Sequence, residues 1–380
     1  MIEVKRIDLQ IRPDPARILA RPFLPAEPVF GGGPTRVELI AHRVLALDDN
    51  EAKRLLAQTR LDFADRHRDL HSVWLENANR VEDLIPSLPD VDGDRRELLG
   101  AFFTQEYAPE TAALCNPSIV PLAGGAPGTF VMSLRAIGEG HISSVEFRTG
   151  SVNDDGQPTI DEPGSYLTTG RHRSAAYDRS VFRRKLLELG ADDGLVDSLM
   201  AGLPESFGAT ELNGALEVLG ASDVSPAAAF ETRRLTNWLA SSNYELVYDM
   251  DIPIGERILL PSSPAESRGI EDARFVHFVE DDGTSTYYAT YTAYDGFSIL
   301  PQLIETTDFL TFRFATLNGT SARNKGMALF PRRIGGLYAA LGRHDQENLH
   351  LLRTDDLRTW DFAELISSPE HGWETVQIGA

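Results

Sequence analysis

Thr306-Thr307-Asp308-Phe309-Leu310-Thr311-Phe312 returns 48 positions later as Thr354-Asp355-Asp356-Leu357-Arg358-Thr359-Trp360. Each copy sets polar turn residues before a run that favours extended chain. A period of roughly 50 residues in strand-rich sequence is the spacing of a propeller blade. Two similar turns in an ordinary sheet would give the same pair, so the neighbouring sequence has to decide.

The hairpins around the repeat favour the blade. Residues 274–278, the turn Asp281-Asp282-Gly283, and residues 287–294 spell strand, tight turn, strand. Residues 327–331, Gly335-Gly336 and 337–342 repeat the plan, and residues 116–122, the Gly124-Gly125 region and 130–135 give a third version. Polar residues are expected just before each first strand: Asn116, then Glu271-Asp272, then Arg323-Asn324-Lys325. Arg135 and Arg343 end two of the return strands. Equivalent positions of successive blades converge on the propeller axis, so this spacing gathers distant polar residues into one pocket.

Working outward, residues 111–174 and 244–380 are expected to form the β-propeller domain. Residues 129–135 and 141–148 read as strands, and residues 151–174, rich in Gly, Pro and Asp, as loop. Residues 1–110 read as an appendage: a strand-rich lead over 4–47, then helices. Leu70, Val73, Trp74, Val81, Leu84 and Ile85 share one helical face, Pro86 stops it, and a second helix is expected over 95–107. Residues 175–243 read as a helical insertion, with helices over 180–189, 195–203 and 211–219. A further helix opens at Ser225-Pro226, an N-cap followed by proline at the first helical position.

The 380 residues carry a net charge of −21, which repels phosphate backbones and anionic lipid. Nucleic acid and membrane are therefore poor partners, and any anion site must be built locally from arginines and backbone amides. No run approaches the roughly 20 apolar residues of a membrane span. The first nine residues lack the apolar core of a signal peptide, and the single cysteine, Cys115, cannot close an internal disulfide; both fit a cytoplasmic setting.

Asp272, at the entrance of an inner strand and close to Arg274, fits either a general acid or a paired structural carboxylate. Arg323, Arg343 and His344 fit either an anion site, since guanidinium forks match phosphate oxygens, or blade-linking salt bridges. Spacing alone leaves both pairs of readings open.

Several ordered motifs resemble glycoside hydrolase family 130. Glu271-Asp272-Ala273-Arg274 with Tyr287-Tyr288-Ala289-Thr290-Tyr291-Thr292-Ala293-Tyr294 is similar to its "E/Y-D-P-R … Y-Y-x-T-Y-T-A-Y" segment. The run from Asn324-Lys325-Gly326 through Leu329-Phe330-Pro331 to Gly336-Leu337-Tyr338 is similar to "N-K-D-x-x-L-F-P-x-K-I-x-G-x-Y". Arg343-His344 stands where the family has His-Arg-Pro, and Asp355-Asp356-Leu357-Arg358-Thr359-Trp360 resembles "S-x-D-L-x-x-W". Asn116-Pro117 and Leu134-Arg135 match early asparagine-proline and Y-R positions. The resemblance spans about 116–150 and 245–380 and leaves the helical blocks unexplained.

This resemblance implies a mainly β fold: a five-bladed β-propeller with helical N-terminal and inserted segments. It implies an enzyme, an inverting β-mannoside phosphorylase that cleaves β-linked manno-oligosaccharides with inorganic phosphate to α-mannose 1-phosphate. The alternatives are an inverting β-mannosidase of the same fold and a non-catalytic sugar-binding propeller. Asp272 would be the catalytic acid. Arg323, Asn324, Arg343 and His344 would bind phosphate; Asn116, Arg135, Glu271 and Lys325 would line the substrate subsites. No metal or organic cofactor is implied; phosphate is the co-substrate, and a homo-oligomer is compatible with the reading. The chain departs from the pattern at Ala273 in place of proline, at Gly326 in place of aspartate, and at Gln377 in place of a phosphate-binding lysine. The family continues past the point matching Ala380, so a further blade is expected beyond it, unless the propeller closes differently.

Overall fold

The computed structural model describes residues 7–25, 33–89, 91, 93–220 and 225–374. Gln377 lies outside them. The chain forms two compact units, one of residues 1–112 with 164–168, the other of 113–163 with 169–380.

In the first unit a two-stranded ribbon flanks four helices. Strand β1 (Leu19–Pro22) precedes α1 (Arg36–Leu45), α2 (Asp49–Phe63), α3 (Leu70–Leu84) and α4 (Gly93–Phe102), and β2 (Thr104–Tyr107) pairs antiparallel with β1. The strand-rich lead over 4–47 is corrected here, because residues 36–45 are helical. Thr35 and Glu38 form a reciprocal capping box, and Val37, Ala41 and Val44 bury one face at helical spacing. The helix expected over 95–107 ends at Phe102. The Thr104 hydroxyl donates to the Gly100 carbonyl at 2.8 Å, and the chain then turns into β2, whose Tyr107 is buried. The helices pack around Leu56, Trp74, Val81, Leu98, Leu99 and Phe103.

The second unit holds three four-stranded antiparallel meanders. The first is β3 (Ala113–Pro121), β4 (Thr129–Ile137), β5 (Ser143–Val152) and β6 (Pro158–Ile160). Four short strands and a helical block follow: β7 (Thr168–Thr169), β8 (Arg171–Ser174), β9 (Tyr177–Asp178), α5 (Arg179–Glu188), α6 (Asp193–Ala201), β10 (Ser206–Phe207), α7 (Ala209–Gly220) and α8 (Pro226–Ser241). After β11 (Tyr244–Val247) and β12 (Arg257–Leu259) comes the second meander, β13 (Gly269–Val279), β14 (Ser285–Tyr294), β15 (Ile299–Thr306) and β16 (Thr311–Thr316). The third is β17 (Ala328–Leu329), β18 (Tyr338–Gly342), β19 (Leu349–Thr354) and β20 (Phe362–Ser367).

The repeat noted in the sequence occupies the turn between the third and fourth strands of two meanders. The first two meanders join one 12-stranded mixed sheet, and the third is a sheet of four. The described residues thus give three meanders of one plan and do not define a closed five-bladed ring. The 151–174 segment is not all loop: β6 pairs with β5, and β8 covers the edge of β11.

Phe147, Phe275, Phe309, Phe312 and Tyr287 fill the core between the first two meanders with edge-to-face and stacked rings. The helices α5 to α8 bury Phe182, Leu186, Val196, Leu199, Leu235 and Leu239 in a core of their own. At the start of α8 the Ser225 side chain makes no capping bond, and proline in the first turn supplies the start signal.

Candidate functional site

Two backbone irregularities make the site. In β3, Cys115 pairs with Arg135 and Ser118 with Ser133, so Asn116 and Pro117 face the single residue Leu134. In β13, Glu271 pairs with Thr292 and Arg274 with Thr290, so Asp272 and Ala273 face Tyr291. Both are two-against-one bulges, and each puts its polar residue in the left-handed region, Asn116 at φ 50° and Asp272 at φ 54°. Asn324, just ahead of β17, has φ 63°. Asn and Asp enter this region more readily than most residues because their short side chains bond locally. Ala273 keeps the geometry seen at Asn116-Pro117, so loss of the expected proline does not undo the turn. The polar residues expected just before the first strands therefore sit inside two of them.

The bulge decides where the acids point. Neighbours on a regular strand project to opposite faces. Here Glu271 and Asp272 both reach one guanidinium: Arg135 Nη2 donates to Glu271 Oε1 at 2.6 Å and Nη1 to Asp272 Oδ1 at 2.9 Å. Asn116 Nδ2 also donates to Asp272 Oδ1, and Lys325 Nζ donates to Glu271 Oε2. Arg135 is held in turn by its Nε bond to Ser143 Oγ, 2.9 Å. Ser143 stands where β5 meets β13 in parallel at Gly269, whose φ of 149° suits glycine and where an added Cβ would come within 2.7 Å of the Ser143 Cβ, leaving no room for a side chain. That close approach brings the first meander's arginine to the second meander's acids.

Five of the nine expected site residues, Asn116, Arg135, Glu271, Asp272 and Lys325, thus form one connected cluster. Glu271 is buried and doubly paired, while Asp272 stays partly open. The other four surround the segment after β16. Asn324 Nδ2 donates to the Arg343 carbonyl at 3.0 Å, and Arg343 Nε to the Lys325 carbonyl at 3.1 Å. Arg323 is exposed and, among the described residues, has no hydrogen-bond or ion-pair partner. Burial pushes the His344 imidazole below its usual value, helped by its neighbour His350, with ring centroids 4.4 Å apart. His344 therefore offers a neutral ring, not a charge, at neutral pH; its Nδ1 is buried without a partner. Burial pushes Asp345 up, but hydrogen bonds from the Asn348 side chain and the backbone of Asn348 and Glu347 outweigh it and hold the carboxyl down at about 2.

Two residues not foreseen as site members belong beside these. Arg274 is half-buried; burial pushes its guanidinium pKa down, Asp272 opposes that, and Arg343 adds to it. It lies between the acid and the cationic segment, and the Asp272-Ala273-Arg274 motif carried its signal. Tyr294 places its ring 5.5 Å from Lys325 Nζ, a cation–π contact that helps fix the lysine.

Chemically, the cluster offers one accessible carboxylate, a second one already neutralised by two cations, and a cationic segment one meander away. Among the described residues no group of three or more His, Cys, Asp or Glu could hold a metal ion. No described helix is long and apolar enough to cross a membrane.

No protein-family model matches the chain, and no curated protein matches it. Among solved structures, similar chains include a glycosyl hydrolase from Bacteroides ovatus (13% identity, 71% of this chain and 55% of that one, TM-score 0.35). Another is the β-1,2-mannobiose phosphorylase of Listeria innocua in complex with β-1,2-mannobiose (14% identity, 68% and 62%, TM-score 0.28). A third belongs to work on the GH130 family of mannoside phosphorylases, which contains glycoside hydrolases that target β-1,2-mannosidic linkages in Candida mannan (13% identity, 70% and 55%, TM-score 0.34). This chain spans 55–62% of the length of these three. At such scores the likeness is weak, and the chemistry below is read from the residues.

Proposed function

We propose that the chain is an inverting β-mannoside phosphorylase, and that the three meanders are blades of a five-bladed propeller. Asp272 is the general acid. Arg323, Arg343 and Arg274, with Asn324 and the neutral His344, receive phosphate. Asn116, Arg135 and Lys325 hold the sugar. No cofactor takes part; inorganic phosphate is the co-substrate.

The observation that carries this reading is the unequal state of the two carboxylates. Glu271 is buried and bonded to both Arg135 and Lys325. With one oxygen taken by Arg135 and the other by Lys325, this carboxylate is poorly placed to hold the attacking water that an inverting hydrolase of the usual two-carboxylate kind requires. Phosphate is already an anionic nucleophile and needs only positioning, which the arginines supply. Asp272 accepts from Asn116 and Arg135 on Oδ1 alone, so the proton the acid delivers is carried on Oδ2 with both donors in place.

One specific observation favours hydrolysis: Gln377 replaces a lysine expected at the phosphate site. The same experiment decides. β-1,2- and β-1,4-mannobiose are incubated with and without phosphate, and products are resolved by anion-exchange chromatography. Sugar phosphate formed only with phosphate supports the proposal. Free mannose released at an equal rate in its absence makes the chain a hydrolase, and no release under any condition leaves a binding propeller.

A further inference from the structure

Helix α5 belongs to the helical block that no blade accounts for, yet one turn of it grips the segment leading to Arg323. Its start is fixed by Asp178, whose carboxylate accepts from the Ser180 and Val181 amides at 2.9 and 3.0 Å. Lys185 is buried at 6% exposure and donates from Nζ to the Leu317 carbonyl at 2.6 Å. Glu188 accepts from the Gly319 amide at 2.9 Å. Arg184 makes two bonds to Asp361, 2.6 and 2.7 Å, and Asp361 accepts from the Thr320 amide at 3.1 Å. Ionised groups anchored on α5 therefore hold three backbone groups within four residues.

The segment itself has little freedom left. The Asn318 amide donates to the Arg358 carbonyl and the Trp360 amide to the Asn318 carbonyl, both at 2.8 Å, and a Cβ at Gly319, φ 102°, would run into the Trp360 carbonyl. Arg323, Asn324 and Lys325 follow directly, and Lys325 reaches Glu271. Burial pushes the Lys185 amine down; Glu188 holds it up, and Arg323 is close enough to add to the downward push. Burying an amine at a carbonyl is costly, and a helix can be attached to a sheet with apolar contacts alone. The expense is explained if the segment's exact placement matters.

We propose that α5 is a clamp and that Lys185 and Glu188 are positioning residues for the Arg323–Lys325 segment. The kinetic part rests on the phosphorylase reading; the structural part does not. The full chain is compared with Lys185→Met and Glu188→Ala by hydrogen–deuterium exchange and by steady-state phosphorolysis. Charged hydrogen bonds of this kind set local opening, so exchange over residues 317–326 should rise about 10- to 100-fold, with β13 and β18 unchanged. KM for phosphate should rise about tenfold while KM for the mannoside stays within about twofold, a split that general loosening does not produce. Unchanged exchange in both variants overturns the clamp, as does an equal rise across the whole second unit in both. If Lys185→Met alone loosens the whole unit, Glu188→Ala, at a less buried position, decides. Wild-type protein that makes no sugar phosphate would sink the phosphorylase reading and leave the clamp to be judged by exchange alone.

Discussion

Asp272→Asn removes the proposed acid with little else changed. Asparagine has the same shape, and its amide oxygen can accept from Asn116 Nδ2 and Arg135 Nη1 as the carboxylate does. The backbone at φ 54° suits asparagine, whereas alanine there would add about 1–2 kcal/mol of strain. The variant should thus melt close to wild type. What it loses is the transferable proton and the charge facing Arg135. A positioned general acid contributes about 10²–10⁴ in rate, or roughly 3–5 kcal/mol of barrier. Phosphorolysis of mannobiose, followed by release of α-mannose 1-phosphate, should fall by that factor in kcat. An aryl β-mannoside with an acidic phenol leaving group needs little protonation, so its turnover should fall far less. Retention of more than about a tenth of mannobiose activity would refute the assignment. An equal loss on both substrates would instead mean that Asp272 binds and does not protonate.

Glu271→Gln breaks the pairs to Arg135 and Lys325; it should cost about 1–3 kcal/mol in urea unfolding and reduce kcat less than Asp272→Asn. Azide should not restore turnover, and recovery with azide would make Glu271 a base and the chain a hydrolase. Glu266 is fully buried beneath Tyr244 and Tyr291, and burial raises its carboxyl pKa above the ordinary 4.5 against the lowering effect of its hydrogen bonds. Its proton-linked contribution to stability is complete below about pH 4.5 and is lost as pH rises through the raised value. The melting-temperature advantage of wild type over Glu266→Gln should therefore shrink from pH 5 to pH 8, and a growing advantage would reverse the sign. Tyr287→Phe strips a hydroxyl that accepts from Ala123 N at 2.7 Å and donates to Pro121 O at 2.9 Å. Calorimetry should show a loss of about 1–3 kcal/mol with unaltered KM.

The hairpins were readable because strand alternation and turn residues are local, and β3–β4, β13–β14 and β18 fall where the pattern puts them. The cluster of Asn116, Arg135, Glu271, Asp272 and Lys325 was readable as a set because repetition aligns equivalent positions. What escaped was non-local. Nothing around residues 104–107 shows that β1, over 80 residues earlier, waits to pair with them. Thr35 and Glu38 do carry a capping box, a local helix signal set within a stretch whose pattern otherwise reads as extended chain. Glu266 owes its burial to tyrosines 22 and 25 residues away, and Lys185 to a carbonyl 132 residues on. Such partners become visible only once the chain has closed on itself.

The left-handed sockets at Asn116, Asp272 and Asn324 have a consequence for how such a pocket changes over time. Asparagine and aspartate codons differ by a single base, and both residues fit that backbone. An acid can therefore be gained at one socket and surrendered at another without remodelling a strand. These sockets make the position of a carboxylate in the cluster a heritable variable that the fold itself does not fix.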